Sequence, residues 1–118
     1  MLLLPSSVRI FLAIEPVDLR KSIDGLAALV RGEGHDVYSG HLYVFAGRRR
    51  DRAKILVWDR GGFVLYYKRL EAERFRWPVI LDGAREVELD GTGLAMLLDG
   101  IDVGRVKRPA VWLPAKTS

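Results

Sequence analysis

The stretch His41–Leu70, HLYVFAGRRRDRAKILVWDRGGFVLYYKRL, decides how this chain folds. Three runs rich in β-branched and aromatic residues, HLYVFA, AKILVWD and FVLYYKRL, are separated by two connections, which predicts an antiparallel meander. In the second connection, Asp59-Arg60-Gly61-Gly62, Arg60-Gly61 reads as a two-residue hairpin loop. That loop sets the register: Asp59 faces Gly62, while Trp58, Leu56 and Lys54 face Phe63, Leu65 and Tyr67. The other face carries Val57 with Val64, Ile55 with Tyr66, and Ala53 with Lys68. A slip of one residue would exchange the two faces, because side chains alternate along a strand. The first connection differs in kind, since five of the eight residues from Gly47 to Lys54 are Arg or Lys.

Outward from the meander the pattern changes period. VRIFLAI (Val8–Ile14) reads as a strand ended by Glu15-Pro16. Leu19, Ile23, Leu26 and Val30 follow at helical spacing, with Asp18 as the expected cap, which predicts a helix over Asp18–Arg31. Gly25 weakens that helix by about 1 kcal/mol relative to Ala, so close packing against the sheet is its expected reason. RGEGHDVYSG (31–40) is a loop. Past the meander, REVEL is a short strand, and a second helix begins near Thr92, with Leu94, Leu97, Leu98 and Ile101 on one face and Gly100 as its stop. The expected fold is a single α+β domain over residues 1–118. A mainly antiparallel sheet of about four or five strands packs one face on the main helix, with the short C-terminal helix at an end and residues 1–7 and 105–118 as extended tails.

Composition narrows the function. A chain of 118 residues suffices for one core. It contains no cysteine, which removes disulfides, thiolate metal sites and a cysteine nucleophile, and suits a reducing cytoplasm. MLLLP lacks the basic start of a secretory signal, and no apolar run approaches the ~20 residues that span a bilayer, so no membrane partner is expected. No GxSxG, P-loop or GxGxxG pattern occurs, and His35 and His41 lack the clustered spacing of a metal site. No cofactor or catalytic residue is expected. Asp51, Asp59, Glu71 and Glu73 are conceivable ligands for a metal-dependent nuclease, although turn and strand-edge positions beside arginines explain them more simply.

Charge is the informative property. Net charge is +4, but residues 41–78 hold ten basic side chains against four acidic ones, or +6, leaving nine against eleven, or −2, elsewhere. Such asymmetry points to a polyanion. Arg48, Arg49, Arg50, Arg52 and Lys54 on a flexible hairpin tip are expected to grip phosphate, for which guanidinium is well shaped. Lys68, Arg69, Arg74 and Arg76 are interleaved with Tyr66, Tyr67, Phe75 and Trp77, which could stack on exposed bases. Arg20 and Lys21, in the first turn of the expected helix, complete the candidate nucleic-acid contacts, because an anion there would also meet free backbone N–H groups.

Taken in order, DLRKSIDGL, SGHLYVF, DRAKILVWDRGGF, YKRLE, FRWP and ELDGTGLAMLLDGID resemble a known family. It is the accessory protein, of TnpB type and encoded by the second open reading frame, of the sixty-sixth insertion-sequence family of bacterial transposons. The resemblance runs from about Val8 to Val103. It implies an accessory factor of transposition that works beside a DDE-type transposase, with no family catalytic residues to carry over. Together with the charge pattern, it leads to a non-enzymatic protein that binds DNA at transposon ends or target through its basic hairpin. The rival is an adaptor that docks the transposase without touching DNA, anchored by Trp112 or the Tyr66–Tyr67 strand. Self-association is left open.

Overall fold

A computed structural model describes residues 5, 7–80 and 82–100 of the chain. The expected tail 105–118, with Trp112, lies outside the described residues, as does Ile101. Seven elements follow one another: β1 (Ile10–Ala13), α1 (Ile23–Gly32), β2 (Leu42–Ala46), β3 (Arg52–Asp59), β4 (Gly62–Arg69), β5 (Glu86–Leu89) and α2 (Gly91–Leu98). The architecture is α+β, with one five-stranded mixed sheet in the order β4-β3-β2-β1-β5. Three of its four pairings are antiparallel, and β1–β2 is parallel. Parallel strands need a long crossover, and the segment carrying α1 supplies it.

The meander folds in the register that Arg60-Gly61 dictates. Asp59 pairs with Gly62, Trp58 with Phe63, Leu56 with Leu65 and Lys54 with Tyr67. Arg60 and Gly61 have φ of 48° and 85°, the two positive values that a type I′ turn requires. This turn matches the twist of its strands, and Tyr38 packs on the Trp58–Phe63 pair beside it.

Alternation then divides the sheet into two apolar faces. Phe11, Tyr43, Phe45 and Leu56 share a buried cluster with Leu26, Ala27 and Val30 of α1. Ile10, Leu12, Leu42, Val44 and Ile55, the intervening residues, share another with Leu94 and Leu97 of α2. All five residues of β2 are buried in consequence. Each fully buried Leu or Val contributes roughly 1.5–3 kcal/mol of transfer free energy, so Leu12, Val44 and Leu56, with no exposed surface, anchor both layers.

The start of α1 departs from the expectation. Asp18 caps no helix: its carboxylate accepts from the Arg20 backbone N–H (3.0 Å) and its carbonyl from the Lys21 N–H (3.0 Å), forming a turn. The helix begins at Ile23, after Ser22, so Arg20 and Lys21 precede it and do not occupy its first turn. Gly25 is also explained differently, because a Cβ there would meet Lys21 Cβ at 3.0 Å and the clash would be local, not with the sheet. At α2 the expectation fits better. Asp90 accepts from the Gly93 N–H (2.7 Å), and Gly100, at φ 79°, follows the helix.

Candidate nucleic-acid interface

The β2–β3 connection is where the sequence concentrates positive charge, and its backbone shows how it is held. Gly47 lies under the turn that precedes α1, since a Cβ there would meet Leu19 Cδ1 at 3.4 Å. Arg50 N–H bonds back to the Gly47 carbonyl (3.1 Å) and the chain passes through φ 60° at Arg50, a left-handed value uncommon for a residue with a side chain. The segment after β4 then laps over the tip: Leu70 N–H donates to Asp51 O (2.7 Å) and Phe75 N–H to Arg50 O (2.6 Å). The tip was expected to be flexible, but these bonds fasten it on several sides.

Arg50 itself turns inward. Its Nη2 donates to Ile14 O (2.9 Å), and its guanidinium carbon lies 5.1 Å from the centre of the Trp77 ring. Trp77 is fixed in turn by donating Nε1–H to Ala13 O (2.8 Å). Burial pulls the Arg50 guanidinium below the usual arginine value, with Glu15 opposing the shift, and Nη1 is buried with no hydrogen-bond partner among the described residues. The Trp77 face offsets part of that desolvation. Phe75 is buried and Trp77 half-buried, so neither has a free face for a base; the expectation that they stack on exposed bases is corrected by their packing.

Lys54 is a strut. Its Nζ donates to Leu19 O (2.7 Å) and Lys21 O (2.9 Å) and lies 5.5 Å from the centre of the Tyr67 ring. It thereby ties the Asp18–Lys21 turn to the hairpin. Within that turn Arg20 Nη2 reaches Asp18 Oδ2 at 2.7 Å and Nε reaches Oδ1 at 3.0 Å. The Arg20 hydrogen bonds hold the Asp18 carboxyl down to about 2, although both groups are largely in solvent.

Turn and hairpin together enclose an open groove of about 840 Å³. Arg20, Arg48, Arg49, Arg52 and Lys54 line it against Asp18 and Asp51, five basic side chains to two acidic, with Val17, Leu19, Leu65 and Tyr67 between them. The side chains of Arg48, Arg49 and Arg52 are exposed and bond to nothing among the described residues. Arg52 also stands directly opposite Arg69 across β3–β4, a like-charge pairing that works against the fold. Glu71 relieves it by accepting from Arg69 Nε at 2.8 Å.

The other sequence-predicted residues lie outside the groove lining. Lys21 is exposed beside Gly25. Lys68 faces the α2 side, where its Nζ donates to Leu98 O (2.7 Å) at the negative end of that helix. Arg74 and Arg76 are exposed on the lapping segment, alternating with the inward Phe75 and Trp77. Both histidines have structural contacts: His35 Nε2 pairs with Glu86 (2.8 Å) and its ring packs on Phe11, while His41 Nδ1 accepts from the Arg9 N–H (2.9 Å). No group of three or more His, Asp or Glu side chains among the described residues is placed to hold a metal ion. None of the described helices is long and apolar enough to cross a membrane. Pro16, Val17 and Leu19 on the far bank were missed from the sequence, where the only available signal was the Glu15-Pro16 strand end.

Comparison with known proteins agrees with this assembly of motifs. Two curated relatives from Sinorhizobium fredii are similar over most of their lengths. The uncharacterized protein y4jC is 38% identical over 112 residues, covering 94% of each chain. The uncharacterized protein y4hO is 33% identical over 117 residues, covering 97% of this chain and 98% of its own. No solved structure matches significantly. The family described as IS66 Orf2-like proteins matches residues 8–108, which include every strand of the sheet and every residue lining the groove. The chain therefore belongs to the IS66 Orf2-like family, which implies an accessory role in transposition.

Proposed function

We propose that this protein is a non-enzymatic accessory factor of transposition that binds the sugar–phosphate backbone of DNA in the groove between the Asp18–Lys21 turn and the Gly47–Lys54 hairpin. The observation that carries the reading is the exposure of the Arg48, Arg49 and Arg52 side chains, which have no bonding partner among the described residues, on a tip whose backbone is fastened. A tip whose backbone is already fastened leaves only the side chains to be ordered on meeting a phosphate, and their guanidinium groups suit bidentate contact. Arg20 contributes from the opposite bank once a phosphate competes with Asp18. Arg50 and Lys54 shape the groove from within. Lys68, Arg69, Arg74, Arg76 and Lys21 add a surrounding positive field. The site of action is the cytoplasm, and the natural partner is the DDE-type transposase of the same element.

Titrating the protein against transposon-end and unrelated duplexes at a series of salt concentrations tests this. Log affinity should fall linearly with log salt, at about −0.9 per phosphate neutralised. Binding that ignores salt would defeat the proposal. The adaptor reading draws on a separate observation, the exposure of Tyr66 and Tyr67 on the outermost strand β4. Capture of the transposase in DNA-free buffer, lost on Arg48/Arg49/Arg52→Ala while DNA affinity stays undetectable, would favour it.

A further inference from the structure

The groove is more than a row of cations. Val17, Leu19 and Leu65 are half-buried between its two charged banks, and Tyr67 stands among them with 53% of its surface exposed. A site built only to hold phosphates has no use for that apolar strip. A duplex presents phosphates and sugars outward and keeps its base faces stacked inside, so it could touch the arginines but leave the tyrosine idle. A single strand offers both chemistries at once, a charged backbone and free ring faces.

Tyr67 is also held as a platform. It lies on a regular strand directly opposite Lys54, whose ammonium is placed over the ring and is itself fixed by the Leu19 and Lys21 carbonyls. Arg52 lies on the same sheet face, one alternation beyond Lys54. The volume, about 840 Å³, falls within the roughly 300–1,000 Å³ of clefts that enclose small ligands. That is the scale of a few nucleotides.

We infer that the groove takes DNA as a single strand, with its phosphates on Arg48, Arg49 and Arg52 and an unpaired base lying on Tyr67. The inference rests on the phosphate-binding reading above and adds the state of the strand. In transposition, such a ligand would be a frayed or cleaved element end.

The test uses the full chain and three labelled probes of equal length at about 0.1 M salt: an oligo-dT strand, a duplex, and an abasic strand that keeps the backbone without bases. The dT strand should bind about tenfold or more tighter than the duplex or the abasic strand. Tyr67→Ala should weaken dT binding by about 5- to 150-fold, the range for losing one stacked base, and leave the other two probes unchanged. Tyr67→Phe should retain dT binding, which separates stacking from a purely structural role for the hydroxyl. If the wild-type protein holds duplex as tightly as dT, or Tyr67→Ala weakens all three probes alike, the single-strand inference is overturned and phosphate binding stands. If no probe binds, both fall. The wild-type comparison of the three probes decides the matter even if a Tyr67 variant fails to fold.

Discussion

The connections at the two ends of β3 each place an arginine in the left-handed region, and they use it in opposite ways. At Arg60, φ 48°, a type I′ turn closes the hairpin through its own geometry, and the exposed side chain bonds to nothing among the described residues. At Arg50, φ 60°, the side chain folds under the tip, bonds to Ile14 O and rests on Trp77, while Phe75 N–H grips its carbonyl. The backbone of the first turn follows from its own two residues. The second is made by β1, the Asp18–Lys21 turn and the 70–77 segment converging on it. Hence a basic tip divides into two groups, one arginine that builds the mount and three that use it.

Removing the exposed group should have the largest effect and should act on binding alone. Replacing Arg48, Arg49 and Arg52 together with Ala should lower affinity for phosphate-bearing ligands on the order of 100-fold at about 0.1 M salt, and flatten the salt slope by about 0.9 per lost contact. Urea unfolding of the same variant should move by no more than about 0.5 kcal/mol. A large loss of stability would show that these side chains belong to the mount after all.

Arg50→Asn attacks the mount itself. Asn tolerates left-handed backbone, so strain stays nearly constant while the bond to Ile14 O and the Trp77 contact are lost. Stability should fall by about 1–3 kcal/mol, and the Leu70 and Phe75 amides should exchange with solvent faster than in the wild type. An equally stable variant with protected amides would erase the distinction between the two turns. Arg60→Asn, the same substitution at the other turn, should change sign: Asn-Gly suits a type I′ turn, so stability should rise by about 0.5 kcal/mol with binding untouched.

The smallest effect concerns the far bank. The Asp18 carboxyl titrates at about 2, below its ordinary 3.8, because of the Arg20 hydrogen bonds. A depressed folded value means that the pair's contribution is present above about pH 4 and is lost as pH falls through about 2. Both partners are solvated, so the change in stability is slight. The sharper readout is the carboxyl resonance in an NMR pH titration, which should move back toward 3.8 in Arg20→Ala. An unshifted midpoint in that variant would mean that the pair does not set it.

Most of the fold could be read from local pattern, and most of the site could not. The β3–β4 register followed from Arg60-Gly61, and α2 from leucine spacing ahead of Gly100, because in both cases neighbours in sequence do the work. The parallel β1–β2 pair was legible in principle, since strand, helix, strand is the usual route to it. The start of α1 was misjudged because Asp18 spends its carboxylate on the Arg20 N–H two residues on, and the carbonyls of the resulting turn are held from a distance by Lys54, 33 and 35 residues beyond Lys21 and Leu19. Arg50 was grouped with its neighbours for a similar reason. Nothing in GRRRDR distinguishes the arginine whose backbone turns left-handed and whose side chain finds Ile14 and Trp77.

The pairing of β1 with β5 carries a consequence for synthesis. Arg9 and Glu88, bonded at 2.7 Å, are 79 residues apart in the chain. At translation rates of about 5–20 residues per second, the first strand must wait on the order of 4–16 s for its outer neighbour to be made. During that interval the ribosome-bound chain displays a short apolar ribbon, IFLA, with a cation at its leading end as its guard against pairing with strangers. A gene copy truncated before Glu86 would make that interval permanent. Such a truncated chain should therefore clump more readily than one that lacks α2 alone.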